Sequence, residues 1–492
     1  MAGIGFQLNR IFGRGTILSN VIGVGYSAGV TVTPMFVIIG NVLFMSRVLE
    51  FETIGYAGRE LFSATLLYIF IFSLLTTAPF NAVLSRYLSD VIYEERFDDI
   101  LPCFYVGLLL NVCFSILFGI PFCVWEHVVG HVEILYVFTG FCGYVSLVLV
   151  FYAMLYLSIC KDYGRISLFF LIGMAEAFVL SLLFVRVLHM SVPGAMLLAL
   201  TIGFFSTACM ELAAVKYYFK KNSGRYKPVL VYFKRFFSLV VTNFAYTLGL
   251  YIHNFVYWQT DLRMVVADSF VCAPSYDMAT CIAMFTNISA TVIFIARIEM
   301  NFHEKYKAYS EAVIGGRGAD IEKCRRRMFR QLASELLSLV RIQFIITVIV
   351  FLLCMVLLPQ YGISGAVMRI YPCLAAGYFI LFVMYAEIIF LYYFNDNMGA
   401  MLTAISFMIT TGILSYYACG LSQRWYGVGV VAGAFVGWTV AYMRLRWVER
   451  HMDVHIFCRG TLIEVKYGLA ESSKVYDAHM VHEGRGGSGK NE

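Results

Sequence analysis

Apolar positions in this chain come in long blocks separated by short polar ones. A hydrocarbon core of about 30 Å is crossed by roughly twenty apolar residues in a helix. About twelve runs meet that length, with rough cores at Ile17–Phe44, Leu61–Leu84, Leu101–Val124, Ile134–Ser158, Ile166–Arg186, Ala195–Val215, Phe236–Tyr257, Met278–Ala296, Leu337–Leu358, Ala366–Phe394, Met401–Gly420 and Val428–Met443. Each is predicted to be one membrane-spanning helix. The first and tenth exceed one crossing, which predicts tilt or an interfacial end. The expected fold class is an all-α polytopic membrane protein.

The polar blocks predict orientation, because short loops rich in Lys and Arg stay in the cytoplasm. Lys216, Lys220, Lys221, Arg225, Lys227, Lys234 and Arg235 follow the sixth run. Lys305, Lys307, Arg317, Lys323, Arg325, Arg326, Arg327 and Arg330 follow the eighth, and Arg444, Arg446 and Arg450 end the twelfth. The stretch EHVVGHVE after the third run has neither Lys nor Arg. Even-numbered spans therefore end in the cytoplasm, with both termini there. Arg47 and Arg59 run against this bias and are outweighed by the rest. The charged stretch SRYLSDVIYEERFDDILPCF (85–104) then lies on the cytoplasmic side. It is expected to be a helical extension with Leu88, Val91, Ile92 and Ile100 toward lipid or protein and its charges toward water.

The basic block near Lys220 splits the runs into six and six. Counterpart loops follow spans two and eight, where Arg86 aligns with Arg297 and Asp90 with Asn301. Even-numbered spans end on one side in both sets, so the expected architecture is two parallel six-helix repeats. The boundaries are 1–215 for the first bundle, 216–235 for a basic cytoplasmic linker, 236–450 for the second bundle and 451–492 for a cytoplasmic tail with a flexible end.

Composition narrows the function classes. Of 492 residues, 60% are hydrophobic and 14% charged, against about 25% charged in ordinary soluble domains. The mean hydropathy is +0.76. The net charge of +6 is accounted for by the topology-setting loops, so no nucleic-acid partner is expected. The 13 cysteines are scattered through apolar runs and suit buried small residues. No metal or cofactor motif is present. The first run follows Arg10 and Arg14, is too long for a signal segment, and is expected to stay in the mature chain. The tail GRGGSGKNE mimics a phosphate loop but has Asn491 where Ser or Thr is needed. No enzyme motif accompanies a soluble domain, so no catalytic residue is assigned.

Polar residues inside spans are expensive and usually functional. Glu176, Glu387, Asn243, His253 and Asn254 are the candidates for a translocation path. For each, packing between helices as a protonated or hydrogen-bonded group is the competing reading. Glu211 and Arg186 lie nearer span ends, from which a side chain can snorkel to water. Gly23, Gly25, Gly29 and Pro34 make the first span the best hinge.

Several segments resemble the PelG family, the polytopic membrane component of Pel exopolysaccharide systems. They are GIGFQLNRIF (3–12), SRYLSDVIYEERFDDILPCF, CAPSYDMATCIAMF (272–285), RIEMNFHEKYKAYSEAV (297–313) and RWYGVGVVAGAF (424–435). The chain departs from the pattern at SAGVTVTPMF (27–36), YIHNFVYW (251–258) and MRIYPCLAAG (368–377). The resemblance implies a fold like that of multidrug (MATE) and oligosaccharide-flippase transporters and residence in the inner membrane. It also implies export of an N-acetylhexosamine-rich polysaccharide, with a PelF-like glycosyltransferase, a PelD-like cyclic-di-GMP receptor and a PelE-like membrane protein as partners. The charged loops then become a docking face, comprising Arg86, Asp90, Glu94, Glu95 and Arg96 from one half and Arg297, Glu299, Glu304 and Lys305 from the other. Two alternatives remain open at this point. One is a scaffold that anchors the glycosyltransferase without translocating. The other is a drug or ion antiporter of the same fold, which would need a carboxylate cluster.

Overall fold

In lipid a backbone must satisfy its own amides, and a helix does so within one segment. The structure, a computed structural model, describes residues 34, 36–160, 162–288, 299–363 and 365–452, apart from the side chains at 299–301, 303, 314 and 361. The first half holds α1 (Phe36–Val48), α2 (Tyr56–Tyr93), α3 (Ile100–Val128), α4 (Ile134–Ile159), α5 (Tyr163–Arg186) and α6 (Val192–Tyr218). A short helix, α7 (Lys227–Arg235), leads into α8 (Phe237–Tyr257). The hairpin β1 (Met264–Val266) and β2 (Phe270–Cys272) precedes α9 (Pro274–Asn287). Then come α10 (Glu299–Gly315), α11 (Gly318–Leu357), α12 (Ala366–Tyr393), α13 (Asn397–Ala418) and α14 (Val428–Arg450).

Among the described residues, nine helices are long and apolar enough to cross a membrane. A tenth span forms if α7 and α8, bent by 68° at Phe236, are taken together. The first and eighth predicted runs are described only in part, as α1 and α9. Gly23, Gly25, Gly29 and Arg297 lie outside the described residues, and Pro34 is buried. At 1.5 Å per residue, α2 and α11 are each almost twice the membrane core in length, so both project well beyond it. Among the described residues the hairpin is the exception to the helical pattern. Its three-residue strands are too short to leave a period of two in the sequence.

One pattern of packing occurs twice. In the first half α2 packs on α4, α4 on α6, α5 on α6 and α3 on α4. In the second, in the same chain order, α9 packs on α12, α12 on α14, α13 on α14 and α11 on α12. The contact of α8 with α13 has its counterpart in α1 against α5, where Phe44 meets Phe178 at 4.9 Å. The repeat extends to single residues. Asp162 caps α5 by accepting from the Arg165 amide, and Asp396 caps α13 by accepting from the Gly399 amide, both at 3.2 Å. Each also receives a side chain from the end of the next helix, Tyr218 for Asp162 and Arg444 for Asp396. Glycine gives α5–α6 and α13–α14 their close approach. A Cβ on Gly203 would sit 2.5 Å from the Gly173 carbonyl, and one on Gly433 would sit 2.8 Å from the Thr411 amide.

At the end of the bundle that carries the basic linker, α7 rests on α2 and α3 with Val229 buried. Tyr232 donates to Asp90, and Ser223 donates its amide to the Asp98 carbonyl. Leu88, Val91 and Ile100 are buried, so the charged stretch turns its apolar positions toward protein.

At the opposite end the hairpin of the second half lies against the first. The Tyr68 hydroxyl of α2 donates to the Val271 carbonyl (2.9 Å) and accepts from the Val271 amide (3.1 Å). The Tyr68 ring stacks on Trp258 and meets Phe270 edge-on. Tyr68→Phe keeps the ring and orphans both backbone groups, at a cost of about 1–3 kcal/mol. Tryptic cutting after exposed Arg263 is expected to speed up about tenfold, taking 1.4 kcal/mol as a factor of ten. An unchanged cutting rate would show that the two bonds do not hold the hairpin down.

Candidate translocation site

In the second half, hydroxyl, amide and aromatic groups on α8, α9, α11, α12 and α14 form several buried networks. His253 is fully buried between the Tyr276 and Tyr378 hydroxyls, at 2.9 and 3.2 Å. One residue on, Asn254 donates to Asp277 at 2.7 Å. Asp277 also accepts from the Trp258 indole and the Ala273 amide. Consecutive residues of α8 thus serve two networks, because successive side chains leave a helix about 100° apart. Nearer the basic end, Asn243 donates to the Leu239 carbonyl and the Tyr392 hydroxyl. Glu387 is buried and accepts from the Trp438 indole at 3.0 Å. A further set joins three helices: Thr347 and Gln343 of α11 reach Asn287 of α9, which donates to the Ala375 carbonyl of α12.

Glu387, Asn243, His253 and Asn254 therefore all belong to the second half, in separate networks bridging α8, α9, α12 and α14. Glu176 stands apart, half-buried on α5 in the first half. Two acids carry more burial than their sequence positions suggest. Glu211 is fully buried on α6, and neither carboxylate oxygen has a partner among the described residues. Proximity to a span end does not free it, because α4 and α5 both cover α6. Asp277 looks like a helix-start acid in sequence, and only the fold brings Asn254 and Trp258 to it.

A cavity of about 800 Å³ opens between the halves, walled by α2, α3, α4, α8 and the hairpin. Its lining is dominated by phenylalanine, including Phe72, Phe80, Phe114, Phe118, Phe122, Phe141, Phe244 and Phe270. Thr65, Thr76, Tyr68, Tyr144 and Glu126 supply its polar atoms. None of the five sequence-derived path residues lines it.

A family model described as "PelG: Putative exopolysaccharide Exporter (EPS-E)" matches residues 1–457. The chain belongs to the PelG family. Solved structures show the fold of this PelG-family chain. An outward-facing multidrug resistance MATE family transporter of the MOP superfamily is 14% identical, covers 92% of this chain and 98% of its own, and has a TM-score of 0.61. An inward-facing one is 14% identical over 80% of this chain and 91% of its own, with a TM-score of 0.56. A MOP superfamily transporter from Pyrococcus furiosus is 14% identical over 92% of this chain and 99% of its own, with a TM-score of 0.59. Among curated proteins no match was found. This PelG-family chain is a multi-pass membrane protein with a MOP-type transporter fold, and its family and fold support a transport function.

The charged loops of the PelG-family chain hold both ion-paired and exposed residues. Arg86 pairs with Asp90 at 3.5 Å and lies over the Phe236 ring, so both help hold α7 in place. Arg96 bridges Glu94 and Asp99, each at 2.6 Å. Glu94 and Glu95 are exposed, flanked by exposed Tyr93 and Phe97. On α10, Glu304 and Lys305 face outward, while Phe302 and Tyr306 pack against Tyr393 at the end of α12 and Phe394 just beyond it. The Glu299 side chain is outside the described set.

Proposed function

We propose that this chain passes a nascent Pel-type, N-acetylhexosamine-rich polysaccharide across the inner membrane. In this reading the basic end and both termini face the cytoplasm. There the α2–α3 loop and α10 dock a PelF-like cytosolic glycosyltransferase, with PelD-like and PelE-like membrane partners alongside. The observation that carries the reading is the family match over residues 1–457 on a fold built of two similarly packed halves. The chemistry of the second half supports it. Neutral sugars are bound through hydroxyl and amide hydrogen bonds and aromatic faces, and α12 gathers such groups. Those groups are buried and bonded to one another, so polymer entry has to separate helices that are now in contact. Growth of the chain by the docked glycosyltransferase would supply the push.

The same burial favours a second reading, a membrane scaffold that anchors the glycosyltransferase without translocating. One experiment separates the two. Glu94→Lys with Glu95→Lys reverses an exposed acidic edge; it removes the Glu94 arm of the Arg96 bridge and keeps the Arg96–Asp99 and Arg86–Asp90 pairs. Co-purification of the glycosyltransferase is expected to fall at least tenfold, as buried interface charges are worth 2 kcal/mol or more when truncated. Unchanged co-purification would remove the docking role. If a fusion that tethers the glycosyltransferase to the double variant restores secretion, the scaffold role is confined to docking. Tethering the enzyme to an unrelated membrane anchor in the absence of this chain should then secrete nothing.

A further inference from the structure

We propose that the phenylalanine-lined groove is a lipid site. It takes one acyl chain of a membrane phospholipid whose primary ammonium head is received by Glu126 at the hairpin end.

Shape comes first. Along α3 the groove runs from Phe114 to Glu126, twelve residues, or about 18 Å at 1.5 Å per residue. That is slightly more than half of a roughly 30 Å hydrocarbon core, the depth of one leaflet. Phe118 and Phe244 at its wall are 62% and 44% exposed, so the groove opens sideways, where hydrocarbon is the solvent. A single alkyl chain fits the groove, and it gives the apolar wall the contacts that a wall without a neighbour forfeits.

The head follows from Glu126, the one charged group among the described residues of the wall. Glu126 is 4% exposed, lines the groove, and has one carboxylate oxygen with no partner among the described residues. Ser269 of the hairpin, also buried and unpartnered, approaches the end of α3 to within 2.5 Å of where a Gly130 Cβ would stand. A buried carboxylate oxygen without a partner is costly. An ammonium supplies both a countercharge and N–H donors. A trimethylammonium head has the charge without a donor, and a glycerol head has donors without the charge. The site should therefore rank these three heads.

Full-length protein would be purified, exchanged into an equal mixture of phosphatidylethanolamine, phosphatidylcholine and phosphatidylglycerol of matched chains, and the retained lipids counted by native mass spectrometry. The expected result is about tenfold retention of phosphatidylethanolamine over the other two, the worth of one charge-assisted hydrogen bond. Glu126→Gln should lose that preference while still retaining lipid. Val241→Trp, which fills the groove from α8, should lose retention of all three. Equal retention by the wild type, or a preference that survives in Glu126→Gln, overturns the proposal. So does retention of a preferred lipid by a Val241→Trp protein that elutes as the wild type does.

Discussion

Gly433→Leu is expected to remove most of the folded protein from the membrane. In lipid, helices gain little by hiding apolar surface from other apolar surface, so their association rests on close packing. The face of α14 toward α13 carries Gly429, Gly433 and Gly437, four residues apart and thus on one stripe. A Cβ at 433 would lie 2.0 Å from the Thr411 hydroxyl oxygen, which can rotate away. It would also lie 2.8 and 2.9 Å from the Thr411 amide nitrogen and Cα, which cannot move without the helix. The Thr411 and Ser415 hydroxyls have no hydrogen-bond partner among the described residues and lie against this stripe, where the glycine Cα–H groups are their neighbours. Gly433→Ala should cost about 1–3 kcal/mol by overpacking, and Gly433→Leu more than that. The check is size-exclusion chromatography of a fluorescent fusion. The monodisperse peak should shrink for Ala and vanish for Leu. Val436→Leu, on the lipid-facing side, should leave it intact. A normal peak for Gly433→Leu would mean that α13 and α14 do not need this contact distance.

The parts legible in the sequence are those for which lipid leaves no alternative. Long apolar runs had to be helices, and the nine described spanning helices lie where nine of the runs placed them. Arg86 and Asp90, four residues apart on a helix, could be anticipated as a pair. The repeat was visible only as a weak echo between two loops. Its structural form is the twinned capping of Asp162 and Asp396, which pair with side chains 56 residues away in one case and 48 in the other. No local pattern encodes those distances. The same holds for Tyr68 and Val271, which lie in different halves, and for the bend at Phe236, where the basic amphipathic segment turns away from the span it feeds. Candidate path residues were recognisable as polar groups in apolar runs. Which of them share a network was not, since helix faces only meet in the fold. The phenylalanine groove was hidden for the opposite reason, because its lining residues look like any lipid-facing ones until four helices leave a gap between them.

Arg444→Ala is expected to destabilise the protein by about 3–5 kcal/mol, because it leaves a buried carboxylate without its countercharge. Asp396 has 4% of its side chain exposed and Arg444 25%. The guanidinium is bidentate, with Nη2 at 2.8 Å from Oδ1 and Nε at 3.0 Å from Oδ2, and its face lies over the Trp447 ring at 4.6 Å. Asp396 meanwhile caps α13, so it cannot rotate toward water without giving up the Gly399 amide. The apparent unfolding temperature of the detergent-solubilised protein should drop on the order of 10 °C. Asp396→Asn combined with Arg444→Ala removes the stranded charge while keeping a capping side chain. The double variant should therefore be more stable than Arg444→Ala alone, a non-additivity that surface pairs do not show. The twin site supplies the contrast. Asp162 is 23% exposed and Arg165 44%, so Arg165→Ala should cost no more than about 1 kcal/mol. Were the double variant no more stable than Arg444→Ala, the arginine would be acting through packing on Trp447 rather than through charge.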